Sequence, residues 1–160
     1  MNNNVNRRDF IKTAVLTTGA ISLSGCGLSK RILGICETKP PQDPGSWTFS
    51  GGRIEVDLGR APELSQAGSA IRLEGEDLPD RILVVRGEGK NFFAFKNRCT
   101  HYSGGRRIDP VPGTSLLRCC SVGKSTFDYA GKVVSGPAKG PLPRYPVEIK
   151  KDKLVISLNK

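Results

Sequence analysis

Two cysteine-bearing segments about twenty residues apart constrain the fold of this 160-residue chain more than any other feature. The first reads Cys99-Thr100-His101, and the second contains the adjacent pair Cys119 and Cys120. Thiolates and imidazoles are the protein ligands that iron and zinc commonly take. Two such segments can hold a metal centre from two sides, provided that the fold brings their loops together.

Short segments with strand character surround both cysteine segments. They alternate between apolar and polar side chains, or they flank Gly-rich turns typical of hairpins. The segments are 53–58, 70–73, 81–86, 91–96, 115–118, 126–128, 132–134, 145–149 and 154–158. The chain also holds 19 Gly and 11 Pro, and no long stretch has a helical period. This pattern predicts a small all-β, antiparallel sandwich or barrel.

The order of motifs around the cysteines is more specific than their number. Cys99-Thr100-His101 follows a predicted hairpin, and residues 120–128 read Cys-Ser-Val-Gly-Lys-Ser-Thr-Phe-Asp. Gly136-Pro137-Ala138 and Pro141-Leu142 follow. This set resembles the two cluster-binding loops and the proline loop of the Rieske [2Fe-2S] family, over roughly residues 70–158. The resemblance implies a Rieske-like antiparallel β-sandwich or barrel that carries a two-loop cluster-binding subdomain.

The resemblance also implies a [2Fe-2S] cluster held by Cys99, His101, Cys120 and a second histidine. Neutral imidazoles leave such a cluster less negative than four thiolates would, which raises its reduction potential. Ser125 lies where the family donates a hydrogen bond to a cluster sulfur, a contact that tunes the potential further. The second histidine is missing, because Gly123 takes its position and His101 is the only histidine in the chain.

Several residues could replace the missing histidine. Cys119 is the first candidate, since thiolate is the commonest ligand of these irons, and Asp109, Lys124 or water are weaker ones. Adjacent residues of an extended strand point to opposite faces, however, so Cys119 and Cys120 cannot both face inward without a kink. Cys36, in the segment before the domain, is either a free thiol or a disulfide partner of Cys119 in an oxidising compartment.

Two other interpretations of the cysteine segments stay open. In the first, the fold persists as a structural or binding subunit that has lost its cluster. In the second, zinc is bound by a nominal Cys3His set, although vicinal cysteines depart from the usual spacing of zinc ligands. That set consists of Cys99, His101, Cys119 and Cys120.

No catalytic triad or carboxylate pair accompanies the single histidine. A stand-alone enzyme needs such groups, or a substrate site beside the cluster, to do chemistry on a substrate. We therefore expect an electron-transfer protein or an oxidoreductase subunit that works with a redox partner.

The N-terminal segment predicts export. Asn6–Lys12 resembles the twin-arginine export motif, and the weakly apolar run at 13–24 is too short to span a membrane. Leu23-Ser24-Gly25-Cys26 resembles a bacterial lipobox, which predicts a lipid on Cys26 and a site on the periplasmic or cell-surface side of a bacterial membrane. The chain then divides into a signal peptide, a lipid-attached tether and a Rieske-like domain: 1–25, 26–46 and 47–160.

The chain is strongly basic, with 25 Lys and Arg against 15 Asp and Glu and a net charge of +10. Removal of Arg7, Arg8, Lys12 and Asp9 with the signal peptide leaves 22 basic and 14 acidic side chains, a net charge of +8. The basic residues lie scattered among Gly and Pro without interleaved aromatic residues, which argues against a nucleic-acid partner. An unspecific basic surface is the simplest interpretation of this charge.

Overall fold

The computed structural model describes residues 36–101, 105–121 and 124–159. These residues form antiparallel strands and two short 3-10 turns, with no α-helix among them. The strands are β1 (Trp47–Ser50), β2 (Arg53–Asp57), β3 (Ala70–Leu73), β4 (Ile82–Arg86), β5 (Phe92–Lys96), β6 (Ile108–Pro110), β7 (Leu116–Cys119), β8 (Thr126–Asp128), β9 (Val133–Ser135), β10 (Arg144–Tyr145), β11 (Val147–Lys150) and β12 (Lys153–Ser157). The all-β class predicted from the sequence is therefore confirmed.

The strands form three four-stranded sheets. We call them the basal sheet (β1-β2-β12-β11), the middle sheet (β10-β5-β4-β3) and the site sheet (β6-β7-β8-β9). Strand β4 of the middle sheet is buried on both faces, because Ile82 and Val84 pack into one core while Leu83 and Val85 pack into another. A strand covered on both faces reads as a continuous apolar run, as this one does.

The two cores separate the base of the molecule from its site. The first core lies between the basal and middle sheets and includes Ile54, Val56, Leu154 and Ile156. The second lies between the middle and site sheets and includes Phe95, Ile108, Leu117 and Phe127, together with Cys99 and Cys119. Both unpaired cysteines of the described chain are thus anchored in packed apolar surroundings, which fixes their side chains.

Residues 36–39, which we call the N-terminal strap, lie against the domain. Cys36 forms a disulfide with Cys120, across a sequence separation of 84 residues. The backbone N–H of Thr38 donates to Asp109 Oδ2 over 3.3 Å, and its carbonyl accepts from Arg72 Nη1 over 2.8 Å. The strap is therefore joined to both the middle and the site sheets.

Several predicted features lie outside the described residues. They are the twin-arginine motif, the lipobox with Cys26, and Gly123 in the second loop. They stay predictions from the sequence. In the part of the chain that the structure describes, no helix has the length and apolar character needed to cross a membrane.

Candidate metal centre

The first ligand loop joins β5 to β6 and is closed by backbone contacts. The N–H of Cys99 donates to the carbonyl of Arg106 over 2.7 Å. The buried Asn97 side chain accepts from the N–H of Ile108 over 2.8 Å, just beyond the loop. These contacts hold Cys99, which is only 2% exposed, at the edge of the second core.

The second ligand loop follows β7, and the alternation of that strand decides which cysteine faces the core. Leu117 and Cys119 are buried, whereas Leu116 and Arg118 are partly exposed on the other face. The N–H of Cys119 donates to the carbonyl of Ser125 over 2.8 Å, which closes the loop. Cys119 therefore enters the space beside the first loop.

Three metal-binding side chains converge between the two loops. His101 Nδ1 lies 2.8 Å from Cys99 Sγ and 3.6 Å from Cys119 Sγ. The ligand atoms of Cys99, His101 and Cys119 all lie within 4.8 Å of one another. Two thiols and one imidazole nitrogen on opposing loops are the donor types that iron–sulfur clusters and zinc require.

Cys120 was expected among these ligands, and the structure places it elsewhere. The side chains of Arg118 and Cys120 lie on the outer face of the site sheet, opposite to that of Cys119. There Cys120 is bonded to Cys36, and the ligand atoms of both lie within 4.8 Å of a carboxylate oxygen of Asp109. The sequence suggested Cys119 as a disulfide partner of Cys36, and the structure has Cys120 in that role instead.

A signal for this assignment was present in the sequence. A charged Arg118 in the strand before the loop favours the solvent side, and strand alternation then turns Cys119 inward. The resemblance of residues 120–128 to the second cluster-binding loop pointed to Cys120 instead, because a motif match counts loop residues and ignores the direction of the side chains.

Burial and neighbouring groups keep Cys119 protonated when no cation is bound. Burial is the main cause that raises the pKa of Cys119, to about 11, and the adjacent Cys99 raises it as well. The hydrogen bond to Ser121 Oγ, 3.2 Å away, acts in the opposite direction. A bound metal supplies the positive charge that stabilises the thiolate, so this thiol becomes a ligand only by giving up its proton to solvent.

Ser125 and the proline loop close the site from the side of β8. Ser125 is fully buried, and its Oγ has no hydrogen-bond partner among the described residues. Gly136 approaches it so closely that a Cβ there would lie 2.6 Å from Ser125 Cα. An unsatisfied buried hydroxyl next to Cys119 fits a hydrogen bond to a bound cluster.

The proline loop also reaches the first ligand loop. Thr100 Oγ1 donates to the carbonyl of Gly140 over 2.5 Å. The residues present therefore fit a metal cluster with three ligands, a buried hydroxyl and a covering loop. Asp109 does not join them, because its Oδ2 accepts from the backbone N–H groups of Glu37 and Thr38 in the strap.

Comparison with known families identifies the domain. Residues 55–146 match the Rieske [2Fe-2S] domain, and this range is more than half of the chain. The chain belongs to the Rieske [2Fe-2S] family. Membership implies a [2Fe-2S] cluster, for which Cys99, His101 and Cys119 are the candidate ligands that the described structure brings together.

Solved structures show the same fold at low sequence identity. A ferredoxin of Sphingomonas yanoikuyae B1 is similar with a TM-score of 0.50 and 22% identity, over 61% of this chain and 94% of the ferredoxin. A quaternary ammonium Rieske monooxygenase gives a TM-score of 0.51 and 18% identity, over 71% of this chain but only 31% of the enzyme. No curated protein matches the chain significantly in sequence.

Proposed function

We propose that this chain is an exported, lipid-anchored Rieske protein that transfers single electrons to or from a partner protein. The observation that carries the proposal is the convergence of Cys99 Sγ, His101 Nδ1 and Cys119 Sγ within 4.8 Å between two loops of a Rieske domain. When bound there, a [2Fe-2S] cluster supplies a centre that accepts and releases one electron.

Four described residues of the chain would hold the cluster. Cys99 and Cys119 would supply thiolates, His101 would supply Nδ1, and Ser125 Oγ would donate a hydrogen bond. The resemblance implies a second histidine where Gly123 stands, and Gly123 lies outside the described residues, so the fourth ligand is left unassigned. Two thiolates and one imidazole carry the same thiolate charge as a two-histidine site, so the charge of the fourth ligand determines how far the reduction potential departs from that of such a site.

Export and anchoring rest on the N-terminal sequence. The segment 6–12, which resembles a twin-arginine motif, precedes a segment that resembles a lipobox and ends at Cys26. Proteins exported by that route usually cross the membrane folded, which suits a domain that receives its cluster in the cytoplasm. A lipid on Cys26 would keep the domain at the outer side of the membrane, beside a membrane-associated redox partner.

Iron and acid-labile sulfide content of the purified full chain tests the proposal. We expect about two of each per chain, with visible absorption that bleaches on reduction. A folded protein that contains zinc without sulfide would contradict the cluster and favour a zinc site. A folded protein with neither metal would contradict it in favour of a structural or binding subunit, the alternative that fits the presence of only three converging ligands among the described residues.

A further inference from the structure

We propose that exposed basic residues around the metal centre form a docking surface for an acidic redox protein. This inference rests on the proposed function, because it names the kind of partner with which the site exchanges electrons. The surface consists of Arg106, Lys124 and Lys139, and we call it the basic rim. All three side chains are exposed.

The charge of the domain is concentrated in the segment that contains the site. Residues 98–140, which hold both ligand loops and the proline loop, carry seven Lys and Arg but only two Asp and Glu. The residues before and after that segment, 36–97 and 141–159, carry twelve of each and are neutral. The whole positive excess of residues 36–159 therefore belongs to the part of the domain that contains the metal centre. A basic surface without a specific function would not require its excess positive charge to lie in the segment that contains the metal centre.

Backbone contacts place the three rim residues beside the ligands. The carbonyl of Arg106 accepts from the N–H of Cys99, and the N–H of Lys124 donates to Ser121, whose Oγ accepts from Cys119. Lys139 precedes Gly140, whose carbonyl accepts from Thr100 in the first ligand loop. Each of the two ligand loops and the proline loop thus contributes at least one exposed cation.

The acidic residues of this segment do not neutralise the rim. Asp109 accepts from the backbone of the strap, and Asp128 lies at the other end of β8 from the second ligand loop, where it accepts from the N–H of Lys132. Among the described residues, none of the ion pairs includes a rim residue. The rim therefore presents positive potential to an approaching molecule.

The backbone of Lys124 adds an independent observation. Its φ is +46°, a left-handed conformation that glycine adopts without cost and lysine does not. This chain holds an exposed cation at this position. We take strain at a residue beside the ligands as support for a function of its side chain, and an exposed ammonium attracts anions.

An acidic protein fits the rim better than a membrane surface. The rim surrounds the ligands, so a surface that covers it also covers the point at which an electron leaves or enters. A redox protein gains from that position, because complementary charge speeds encounter and orients the two centres. A lipid headgroup layer would instead shield the centre from every partner.

The first experiment maps the surface and does not need the cluster. Hexacyanochromate(III), a paramagnetic trianion, is titrated into the 15N-labelled full chain carrying Cys26→Ser, and amide line broadening is followed by NMR. We expect broadening centred on residues 106, 124 and 139 that disappears in 0.5 M salt, a concentration at which charges are screened within a few ångströms. Broadening spread evenly over the basic residues of all three sheets would overturn the proposal. If the purified chain contains neither iron nor sulfide but shows the expected broadening, the proposed function is wrong and the basic rim remains an anion-binding surface.

The second experiment measures electron transfer with small reagents of opposite charge. The dithionite-reduced protein gives one electron to ferricyanide, which becomes ferrocyanide, or to the cationic tris(phenanthroline)cobalt(III), which becomes the cobalt(II) complex. At low salt, Arg106→Gln, Lys124→Gln and Lys139→Gln combined should slow the ferricyanide reaction about tenfold and speed the cobalt reaction. The control combines Lys90→Gln, Lys132→Gln and Lys151→Gln, which remove the same charge elsewhere. Equal effects of the two sets would overturn the rim.

A matched pair of glycine substitutions separates charge from backbone strain. Lys124 and Lys151 both have positive φ, +46° and +57°, and both are exposed. Lys124→Gly and Lys151→Gly should each raise the melting temperature, but only Lys124→Gly should slow the reaction with ferricyanide.

Co-sedimentation of the Cys26→Ser chain with phosphatidylglycerol vesicles tests whether the basic rim binds a membrane surface instead. Binding that depends on the rim set and not on the control set would assign the surface to the membrane and overturn the acidic-protein proposal.

Discussion

Single residues decide how the loops of this domain meet. Gly136 has a φ of +88°, and it lies against the backbone of Ser125 in the second ligand loop. The position needs glycine for two reasons, because the conformation is left-handed and because no Cβ fits. The sequence motif Gly-Pro-Ala identified this loop correctly, while the contact that makes its glycine necessary became visible only in three dimensions.

Gly136→Ala should lower the free energy of unfolding by about 2–3 kcal/mol, since it adds both left-handed strain and a backbone clash. Gly113→Ala is the matched control, because Gly113 also has a positive φ of +72° but no atom within 4 Å of the point where a Cβ would lie. We expect about 1 kcal/mol for the control. Chemical denaturation monitored by circular dichroism measures both. Equal losses would show that the proline loop does not press on Ser125.

Ser125→Ala reports whether its buried hydroxyl serves a bound group. If a cluster sulfur accepts the hydrogen bond, the variant keeps its cluster but has a lower reduction potential, because the hydrogen bond favours the more negative reduced state. Protein-film voltammetry measures that potential, with Thr126→Ala, whose hydroxyl pairs with Ser135 outside the site, as control. An unchanged potential with a gain in stability would mean that the hydroxyl has no acceptor.

At the scale of elements, strand β7 and the N-terminal strap divide the two adjacent cysteines between two tasks. Strand alternation turns Cys119 to the metal centre and Cys120 to the strap. The all-β class, the hairpin at 81–96 and the closing strands at 145–158 could be predicted, because their apolar alternation and turn residues are local signals. The Cys36–Cys120 disulfide could not, because it joins residues 84 apart and depends on which face of β7 the strap covers.

Cys36→Ser should lower the free energy of unfolding by about 2–4 kcal/mol, because the disulfide closes a long loop and so restricts the unfolded chain. Dithiothreitol should lower the stability of the wild-type apoprotein by the same amount and leave the Cys36→Ser apoprotein unchanged. Guanidinium unfolding with and without the reductant measures this difference. A wild-type protein that does not respond to reduction would show that the strap is held by its hydrogen bonds to Asp109 and Arg72 alone.

At the scale of the whole molecule, the middle sheet separates a neutral base from a basic end that contains the candidate metal centre. Strand β4 contributes side chains to both cores, so it joins the basal part of the described domain to the part that contains the site. The net charge was evident from composition, but its concentration beside the ligands became meaningful only once the fold had placed residues 98–140 together. In the sequence the basic residues looked scattered, because their positions relative to the ligands depend on the fold.

The central claim is that Cys119, and not Cys120, holds the metal from the second loop. Iron content and visible absorption of Cys119→Ser and Cys120→Ser, purified in parallel with the wild type, test it most directly. Both substitutions remove one sulfur from neighbouring positions, so each controls for the other. We predict that Cys119→Ser loses the iron and the colour, whereas Cys120→Ser keeps both and loses only the disulfide. A colourless Cys120→Ser beside a coloured Cys119→Ser would contradict the account.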